Sequence, residues 1–377
     1  PLADPWAEVL RQVASSGTPV LAVDVPSGVN ADTGAVVGPI AVQAAVTVTF
    51  QALKPAHVLD PGASLAGAVR VADIGLAAAT GSELELVDPS QVHWQALERT
   101  PGAHKYAMGR VLVVGGSDPY AGAPALAGLG ALRSGAGYVE LYVPASILTA
   151  LRTLHALPLV MRGGEESDRG GLTVTNLLRE RLEAARSVIL GPGLEASPEL
   201  VEVLRVSRKP VVVDAGAFQG WIASGRPRWP EAVFTPHAAE AALLIGEPAA
   251  WVQQHRVEAV RRMADMTGGT VVLKGRHTLA AEGGRPVSVN LAGGSELATM
   301  GTGDVLAGVI ASLLARGWST LDAARGAVLW HGFAGELART RRGGFSVTAV
   351  DVAEELGPAA AALQSGARPA EWPVLCS

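Results

Sequence analysis

The feature that most constrains the fold of this chain is a regular alternation of short β-branched runs with longer segments of helical spacing. The runs typical of buried strands cover residues 20–25, 46–50, 110–114, 138–143, 188–190, 211–213, 233–234 and 271–273. The helical segments include residues 123–133, 145–157, 251–266 and 321–340. Such alternation predicts βαβ units, and therefore an α/β fold whose mostly parallel sheet is covered on both faces.

Composition excludes several classes of protein. Hydrophobic residues make up 49% of the 377 positions and charged residues 17%, which is typical of a chain with large buried cores. The formal net charge of -5 argues against binding to nucleic acid or to an anionic membrane. The apolar stretch 305–315 is shorter than the roughly 20 residues that span a bilayer. A single cysteine, Cys376, excludes an internal disulfide framework and favours a cytoplasmic location.

The length predicts about two domains, and the polar segment 80–101 marks the boundary between them. This segment contains Asp88-Pro89-Ser90 and has no pattern typical of a strand. We expect a linker over residues 81–101, a main domain over residues 102–365 and a tail over residues 366–377. Residues 1–80 are too few for a complete doubly wound domain and resemble the second half of one, so we expect a partial Rossmann-like domain there.

The strongest functional signal is the turn Gly301-Thr302-Gly303-Asp304, which runs directly into the apolar helix that begins at Val305. Glycines allow backbone N–H groups to converge, and the start of a helix adds unsatisfied donors and the positive end of its dipole. The turn therefore predicts an anion hole for a transferring phosphoryl group, with Asp304 as the base that accepts a hydroxyl proton. The structural alternative is an ordinary helix cap.

Two further turns follow predicted strands and suit a phosphate ligand. Lys274-Gly275 begins a turn that continues to Thr278, and it places a cation at the carboxyl end of a strand. Its structural alternative is a hairpin turn between two edge strands. Gly191-Pro192-Gly193 follows another strand and lets a ligand approach the backbone, although a tight turn explains it equally well.

A fourth motif, Thr235-Pro236-His237, follows the short strand at residues 233–234. Thr235 is expected to be the N-cap of the next helix and Pro236 its first residue. Neither role explains His237, which is expected to point from the first turn towards the cleft. The alternative is a histidine with a purely structural role.

In this order, the motifs resemble the ADP-dependent NAD(P)H-hydrate dehydratase family, which has a ribokinase-like α/β/α fold. The resemblance covers roughly residues 94–363. It is carried by His104-Lys105, residues 111–117, Ala121-Gly122-Ala123, residues 133–137, Gly191-Pro192-Gly193, residues 214–217, Thr235-Pro236-His237, Lys274-Gly275 and residues 301–304. No single motif is decisive, but the ordered series is specific.

The resemblance implies which residues bind the two substrates. The hydrated dinucleotide, NADH or NADPH hydrate, would contact the positions Ala123, Gly193, His237 and Asp304. The nucleotide, ADP or ATP, would contact Lys274, Gly275, Arg276, His277, Thr278 and Gly303. It further implies that the ring hydroxyl attacks the terminal phosphate, that Asp304 takes its proton, and that the phosphate ester then leaves to restore NADH or NADPH. Mg²⁺ is expected for charge neutralisation.

One position departs from the family pattern. The family usually has two glycines before the Thr or Met of this turn, and here the first of them is Met300. A side chain at this position would narrow the pocket or alter the nucleotide preference. It leaves Gly303 and Asp304 unchanged, so the predicted activity is retained.

The N-terminal piece resembles the end of the NAD(P)H-hydrate epimerase domain that is often fused to this dehydratase. Residues 22–34, 47–50 and 53–55 carry the likeness. The resemblance implies that Asp24 contacts substrate and that Ser27 helps to hold K⁺, while turn chemistry alone is the alternative. The family's Asn- and Gly-rich loop is absent, so the chain as given is expected to lack a complete epimerase site. It begins at Pro1 rather than Met, which leaves open whether the missing half precedes it.

Two other functions share some of these features. A small-molecule kinase on the same fold, acting on a vitamin or sugar alcohol, would use Asp304 in the same way but release a stable phosphorylated alcohol. A nucleotide-sensing module would have no need of a carboxylate facing the phosphate, where it repels the ligand. The resemblance also implies a homo-oligomer, although the sequence shows no interface signature.

Overall fold

The computed structural model describes residues 5–77, 81–99, 101–153, 158–167 and 171–376. The chain divides into two compact units, one of residues Pro1–Glu85 with Glu371–Ser377 and the other of Leu86–Ala370. The end of the predicted helix 145–157 lies outside the described residues. None of the described helices is both long enough and apolar enough to cross a membrane.

Fourteen strands are present in the described residues. They are β1 (Leu21–Val23), β2 (Val46–Phe50), β3 (Ala68–Ala72), β4 (Leu84–Leu86), β5 (Arg110–Val114), β6 (Tyr138–Pro144), β7 (Val160–Gly164), β8 (Ser187–Leu190), β9 (Val211–Val213), β10 (Ala232–Phe234), β11 (Thr270–Leu273), β12 (Leu279–Ala281), β13 (Val287–Val289) and β14 (Val374–Cys376).

Thirteen α-helices accompany them in the same residues. They are α1 (Trp6–Ser15), α2 (Gly62–Leu65), α3 (Gly122–Arg133), α4 (Leu148–Arg152), α5 (Asn176–Ala184), α6 (Pro198–Val206), α7 (Ala217–Ala223), α8 (Ala238–Ile245), α9 (Ala249–Gln254), α10 (Arg256–Thr267), α11 (Thr302–Ala315), α12 (Thr320–Arg342) and α13 (Ala349–Gln364).

The larger unit is built around a ten-stranded sheet in the order β4-β13-β12-β11-β10-β9-β8-β5-β6-β7. Neighbours from β11 to β7 run parallel, whereas the β11/β12 and β12/β13 pairs are antiparallel. The register sets Ile189, Val212 and Val233 side by side. These side chains share one core with α3, α11, α12 and α13.

The other face of the sheet is covered as well. Phe234 follows Val233, so its side chain points to the opposite face. Its ring lies 5.1 Å from the Trp221 ring and 6.5 Å from the Phe218 ring, both on α7. Helices therefore cover both faces, and the predicted α/β/α architecture with a mostly parallel sheet is confirmed.

Glycines set the close packing of α3 against α11. A β-carbon on Gly308 would lie 2.2 Å from the Ala127 carbonyl oxygen, and one on Gly130 would lie 2.4 Å from the Val305 carbonyl oxygen. A β-carbon at either position would force the two backbones apart, so only glycine permits this approach. The contact fixes the first half of α11 beside the middle and the end of α3.

The smaller unit has a four-stranded sheet in the order β1-β2-β3-β14, with all three pairs parallel. The strand predicted at residues 20–25 ends at Val23 because Asp24 adopts a positive φ of 68°. Residues 374–376, within the predicted tail, form β14 and pair with β3.

Three predicted boundaries differ from the structure. The expectation that the linker region contains no strand is wrong, because β4 lies within it. The predicted helix 251–266 is two helices, because His255 leaves the helical conformation (φ -125°, ψ 42°) between α9 and α10. The predicted helix 145–157 begins with the 3₁₀ turn Ala145–Ile147 before α4.

Candidate functional site

An ion pair between Lys274 and Asp214 lies at the carboxyl edge of the sheet. Asp214 follows β9 and Lys274 follows β11, and the parallel strand β10 lies between them. The Lys274 Nζ atom is 3.0 Å from Asp214 Oδ1, and the Asp214 side chain is only 3% exposed. The Thr235 hydroxyl donates to the same Oδ1 at 2.7 Å. Three neighbouring strand ends therefore converge on one buried carboxylate.

Glu240 adds a second carboxylate beside Lys274. Its Oε2 atom lies 3.9 Å from Lys274 Nζ, and it also accepts the His237 backbone N–H at 2.7 Å. Burial raises the pKa of Glu240; Lys274 opposes this shift and Asp214 adds to it. Two acidic groups thus share one cation.

His237 is the N-cap of α8. Its Nδ1 atom accepts the Glu240 backbone N–H at 3.2 Å, which completes a reciprocal capping box. The prediction that Thr235 caps this helix is therefore wrong, because the Thr235 hydroxyl is taken by Asp214. The His237 side chain is 55% exposed, so its ring remains open to a ligand while it caps the helix.

The predicted anion hole is the start of α11. Gly301 precedes the helix with a φ of 90°, a conformation that favours glycine. A β-carbon on Gly303 would lie 3.4 Å from Lys274 Nζ, so the first turn of α11 faces the ammonium of Lys274. The Thr302 hydroxyl donates to the carbonyls of Leu297 and Thr299, at 2.8 and 3.0 Å. The Thr302 hydroxyl is therefore occupied, and the Thr302 backbone N–H also donates to the Thr299 carbonyl, at 3.5 Å.

Asp304 lies in this first turn, close enough to Asp214 and Lys274 to interact with both charges. Burial and then the negative charge of Asp214 raise the pKa of Asp304 to about 7, while Lys274 acts in the opposite direction. A carboxylate with a pKa near neutrality accepts and releases protons at physiological pH. Asp304 thus lies at the same site as Lys274 and Gly303.

Lys274 stays protonated in this setting. Burial alone would lower the pKa of Lys274, but Asp214, Glu240 and Asp304 raise it above its ordinary value. The site therefore keeps one fixed positive charge beside the N-terminus of α11. A fixed cation next to a helix start attracts an anionic phosphate.

Residues 274–278 form the turn between β11 and β12, so the hairpin alternative is correct for the turn and wrong for the strands, because both lie inside the sheet and not at its edge. Arg256, at the start of α10, contacts the beginning of this turn. Its Nη2 atom donates to the Leu273 carbonyl at 3.2 Å. A β-carbon on Gly275 would lie 2.6 Å from Arg256 Nη1. Gly275 and Arg276 are exposed and Thr278 is half-buried. His277 is only 5% exposed, so little of its side chain is available to a ligand.

Ala123 and Gly193 form a second wall. A β-carbon on Gly193 would lie 3.2 Å from Ala123 Cβ and 2.8 Å from Tyr120 Cβ. On the same loop, a β-carbon on Gly191 would lie 1.9 Å from the carbonyl oxygen of Asp214. The structure thus brings two of the predicted dinucleotide contacts together and joins their loop to the strand end that carries Asp214.

Met300 does not close over the anion hole. Its side chain is 90% exposed, although it precedes Gly301 directly. A β-carbon on Gly301 would lie 2.4 Å from Leu126 Cδ1, so the turn is closely packed one residue further along. The expectation that Met300 narrows the pocket receives no support from this placement.

In the smaller unit, Asp24 is the centre of a separate polar cluster. Lys54 Nζ donates to Asp24 Oδ1 at 2.5 Å and the Thr49 hydroxyl donates to it at 2.9 Å. Burial would raise the pKa of Asp24, but these two hydrogen bonds lower it. Ser27 is exposed in the same loop, and its carbonyl accepts the Val42 N–H at 2.9 Å. Among the described residues, nothing else converges on the Ser27 hydroxyl.

Comparison with known proteins places the larger unit in a family. A family model described as NAD(P)H-hydrate dehydratase matches residues 111–357, which is most of this unit. The chain belongs to the NAD(P)H-hydrate dehydratase family. A second model, described as the YjeF-related protein N-terminus, matches residues 1–56. The resemblance inferred from the ordered motifs is thereby confirmed.

Members of the dehydratase family that are similar along nearly the whole chain carry the name bifunctional NAD(P)H-hydrate repair enzyme Nnr. The protein from Thermofilum pendens is 35% identical, over 97% of this chain and 71% of its own length. The Moorella thermoacetica protein is 37% identical, over 93% of this chain and 68% of its own. The Escherichia coli protein is 32% identical, over 92% and 66%.

A solved dehydratase structure has the same fold. The ADP/ATP-dependent NAD(P)H-hydrate dehydratase from Bacillus subtilis, co-crystallised with ATP and Mg²⁺, superposes with a TM-score of 0.62. It is 26% identical to this chain, and the match covers 75% of this chain and 100% of the other. A ribokinase-like protein from Enterococcus faecalis gives the same TM-score at 23% identity, which supports the fold alone.

Three residues of the dehydratase site were given no role by the sequence. Asp214 lay in a motif of the ordered series, but its meeting with Lys274 depends on strand order. The only indication of a role for Glu240 in the sequence was its position three residues after His237, which is the spacing of a capping box. Arg256 gave no signal, because an arginine at a helix start is usually solvated.

Proposed function

We propose that this chain dehydrates NADH hydrate and NADPH hydrate to NADH and NADPH, with ADP or ATP as the phosphate donor. The observation that carries the proposal is the meeting of three groups: the glycine-lined start of α11, the buried ammonium of Lys274, and Asp304 with a pKa raised to about 7. Together they provide what phosphoryl transfer to an alcohol requires: an anion site and a base.

The nucleotide is held by its terminal phosphate at the start of α11. The free N–H groups of the first turn, including that of Gly303, donate to phosphate oxygens. Lys274 contributes charge, and the exposed backbone of the 274–278 turn approaches the rest of the nucleotide. The pairing of Lys274 with Asp214 holds the ammonium in place before the nucleotide arrives, so little reorganisation is needed.

Asp304 is the catalytic base. It accepts the proton of the ring hydroxyl while that oxygen forms a bond to the terminal phosphorus, and the bond from phosphorus to the departing nucleotide breaks. The products of this step are AMP from ADP, or ADP from ATP, and a phosphate ester of the hydrated ring. Burial assists the step, because a desolvated carboxylate is the stronger base.

The ester then loses phosphate. The ring nitrogen donates its electron pair as the carbon–oxygen bond breaks, and a proton leaves the neighbouring ring carbon, which restores the dihydronicotinamide. Phosphate is a far better leaving group than hydroxide, and this explains why a nucleotide is consumed in a formal dehydration. Ala123, Gly193 and His237 are proposed to contact the dinucleotide.

Mg²⁺ is the expected metal. It is commonly held by one or two carboxylates together with substrate phosphates, and no group of three or more metal-ligating side chains occurs among the described residues. Glu240 and Asp214 fit this pattern, since both carboxylates lie beside Lys274 at the phosphate site. When bound, Mg²⁺ would neutralise charge on the phosphates. The co-crystallisation of the Bacillus subtilis dehydratase with ATP and Mg²⁺ supports Mg²⁺ as the metal that accompanies the nucleotide.

The smaller unit is proposed to be of the epimerase type. The match of residues 1–56 and the bifunctional relatives support this. Asp24 as a substrate contact, K⁺ at Ser27 and an incomplete epimerase site in the chain as given stay predictions. So do the homo-oligomeric state and the cytoplasmic location.

The test is to incubate the chain with hydrated NADH and ADP and to follow recovery of dihydronicotinamide absorbance. The proposal expects recovery that depends on ADP, with one AMP and one phosphate released for each NADH. A stable phosphorylated alcohol in place of NADH would identify the chain as a small-molecule kinase instead. Nucleotide binding without any turnover would favour a sensing module.

A further inference from the structure

His104-Lys105, the first motif of the ordered series, takes no part in the site around Asp304. These two residues precede β5, at the edge of the sheet where β5 and β6 begin. Asp214 and Lys274 follow the carboxyl ends of their strands, at the opposite edge. A ligand beside His104 would therefore lie apart from the nucleotide site by about the length of a strand.

A cavity of about 500 Å³ opens beside this motif. Its floor is apolar, with Leu129 of α3 and Ala136 both buried. Its rim carries the cations of Arg99, Lys105 and Arg133 together with His104. No carboxylate occurs among the lining residues that the structure describes. The volume is in the range of pockets that hold small organic ligands.

The ammonium of Lys105 is held at the rim by two aromatic rings. It lies 5.1 Å from the centre of the Tyr106 ring and 5.9 Å from the centre of the Tyr138 ring. The attraction of a cation to an aromatic face limits the movement of an otherwise flexible side chain. The position of the Lys105 charge is thus restricted, although the side chain is exposed.

Arg316 joins two segments that lead into the lining of the cavity, one just before Arg99 and one just before Ala136. Its Nη1 atom donates to the Leu97 carbonyl at 3.2 Å and its Nη2 atom to the Gly135 carbonyl at 2.9 Å. Burial, and then the nearby charge of Arg99, lower the pKa of Arg316. The positive charges of Arg99 and Arg316 therefore lie close enough to repel one another.

Three cations that line the cavity have no ion-pair partner within the described residues. Arg99, Lys105 and Arg133 form no ion pair with a carboxylate there, although the whole chain carries a net charge of -5. Like charges gathered around an apolar floor raise the free energy of the free protein and favour an anion that brings its own apolar part.

We propose that this cavity is a second ligand site, which binds a small organic phosphate of nucleotide size. Its phosphate groups contact Arg99, Lys105 and Arg133, and its apolar part lies on Leu129 and Ala136. Guanidinium groups suit phosphate because their N–H donors match its oxygens in pairs. The limited volume and the buried floor favour a free small molecule over a segment of a macromolecule.

The test is equilibrium binding of ADP to the full chain at millimolar concentration. Wild type is expected to bind a second, weaker equivalent of ADP, and the double variant Arg99→Ala/Arg133→Ala is expected to lose only that one, by at least about tenfold in affinity. The retained first equivalent shows that the variant is folded. Adenosine, which has no phosphate, is expected to leave the second site empty.

A matched control removes the same charge elsewhere. Arg205→Ala/Arg208→Ala deletes two arginines of the same unit away from the cavity and is expected to keep both equivalents. If Arg99→Ala/Arg133→Ala does not fold, Lys105→Gln is expected to weaken the second equivalent alone. A single equivalent on wild type that the double variant retains, two equivalents on the double variant, or loss of the second in the control would each overturn the proposal. None of these outcomes depends on the dehydratase activity.

Discussion

A β-carbon added to Gly303 would lie 3.4 Å from the ammonium nitrogen of Lys274. This distance joins two parts of the chain that the sequence presents separately: a cation at the end of β11 and the first turn of α11. The space beside Gly303 is where the helix donors and the lysine charge act on the same anion. The predictions below follow from that arrangement.

Asp304→Asn is expected to lower the rate of NADH recovery by roughly 10²- to 10⁴-fold, the usual contribution of a general base. The amide keeps the shape of the side chain but cannot accept the proton. ADP affinity is expected to stay within about threefold, because the helix donors and Lys274 remain. Single-turnover rates and ADP titration measure the two effects. Retained turnover would remove Asp304 from the base role.

Thermal unfolding provides the control for this variant. The folded-state pKa of Asp304 is raised to about 7 from its ordinary value of 3.8. The neutral carboxyl is therefore favoured in the folded state and contributes to stability. This contribution is fully present below pH 3.8 and is lost as the pH rises through about 7. Asp304→Asn is expected to gain stability relative to wild type between pH 5 and pH 8, by on the order of 1 to 3 kcal/mol.

The pH dependence of kcat/KM is expected to rise with an apparent pKa of about 7, as Asp304 ionises. Two variants are expected to shift this limb in opposite directions. Asp214→Asn removes a negative charge that raises the pKa of Asp304, so the limb moves to lower pH. Lys274→Met removes the cation that lowers it, so the limb moves to higher pH. Shifts in the same direction would contradict the assignment of the limb to Asp304.

The two glycines of the anion hole are expected to respond differently to alanine. Gly301→Ala places a side chain at a φ of 90° and a β-carbon 2.4 Å from Leu126 Cδ1, so it should destabilise the fold by roughly 1–3 kcal/mol. Gly303→Ala lies within the helix, so its stability should change by less than about 1 kcal/mol. Its methyl group occupies the phosphate site, and ADP affinity should fall by about tenfold. Denaturant unfolding and ADP titration distinguish the two.

Met300→Gly restores the glycine that the family pattern has at this position. Because the Met300 side chain is 90% exposed, its removal is expected to change kcat and KM for ADP and for ATP by less than about twofold. Steady-state kinetics with both nucleotides measure this. A clear change in the preference between ADP and ATP would show that Met300 contacts the nucleotide.

Much of the fold was predictable because the buried strands consist of β-branched residues. Ile189, Val212 and Val233 lie in runs that the sequence marks as strands, and all three lie in the main core. The turn at Gly301 was equally visible, since its glycines stand directly before an apolar helix. Local patterns of this kind predict structure from neighbouring residues alone.

What the sequence did not predict depends on distant partners. The role of Asp214 arises only when β9, β10 and β11 lie side by side. β14 pairs with β3 from the other end of the chain, and its three residues are too few to form a pattern. The break at His255 interrupts a continuous helical spacing, and there the ring stacks on Trp251 at 4.6 Å. These contacts cannot be predicted from local sequence patterns.

The most direct test of the central claim follows the oxygen of the ring hydroxyl. If that oxygen attacks the phosphate and leaves with it, hydrated NADH prepared in heavy-oxygen water should transfer its label to the released inorganic phosphate, one labelled oxygen for each NADH formed. Mass spectrometry of the phosphate after a single turnover with ADP measures this. Unlabelled phosphate, with the label in water instead, would contradict phosphoryl transfer to the ring hydroxyl.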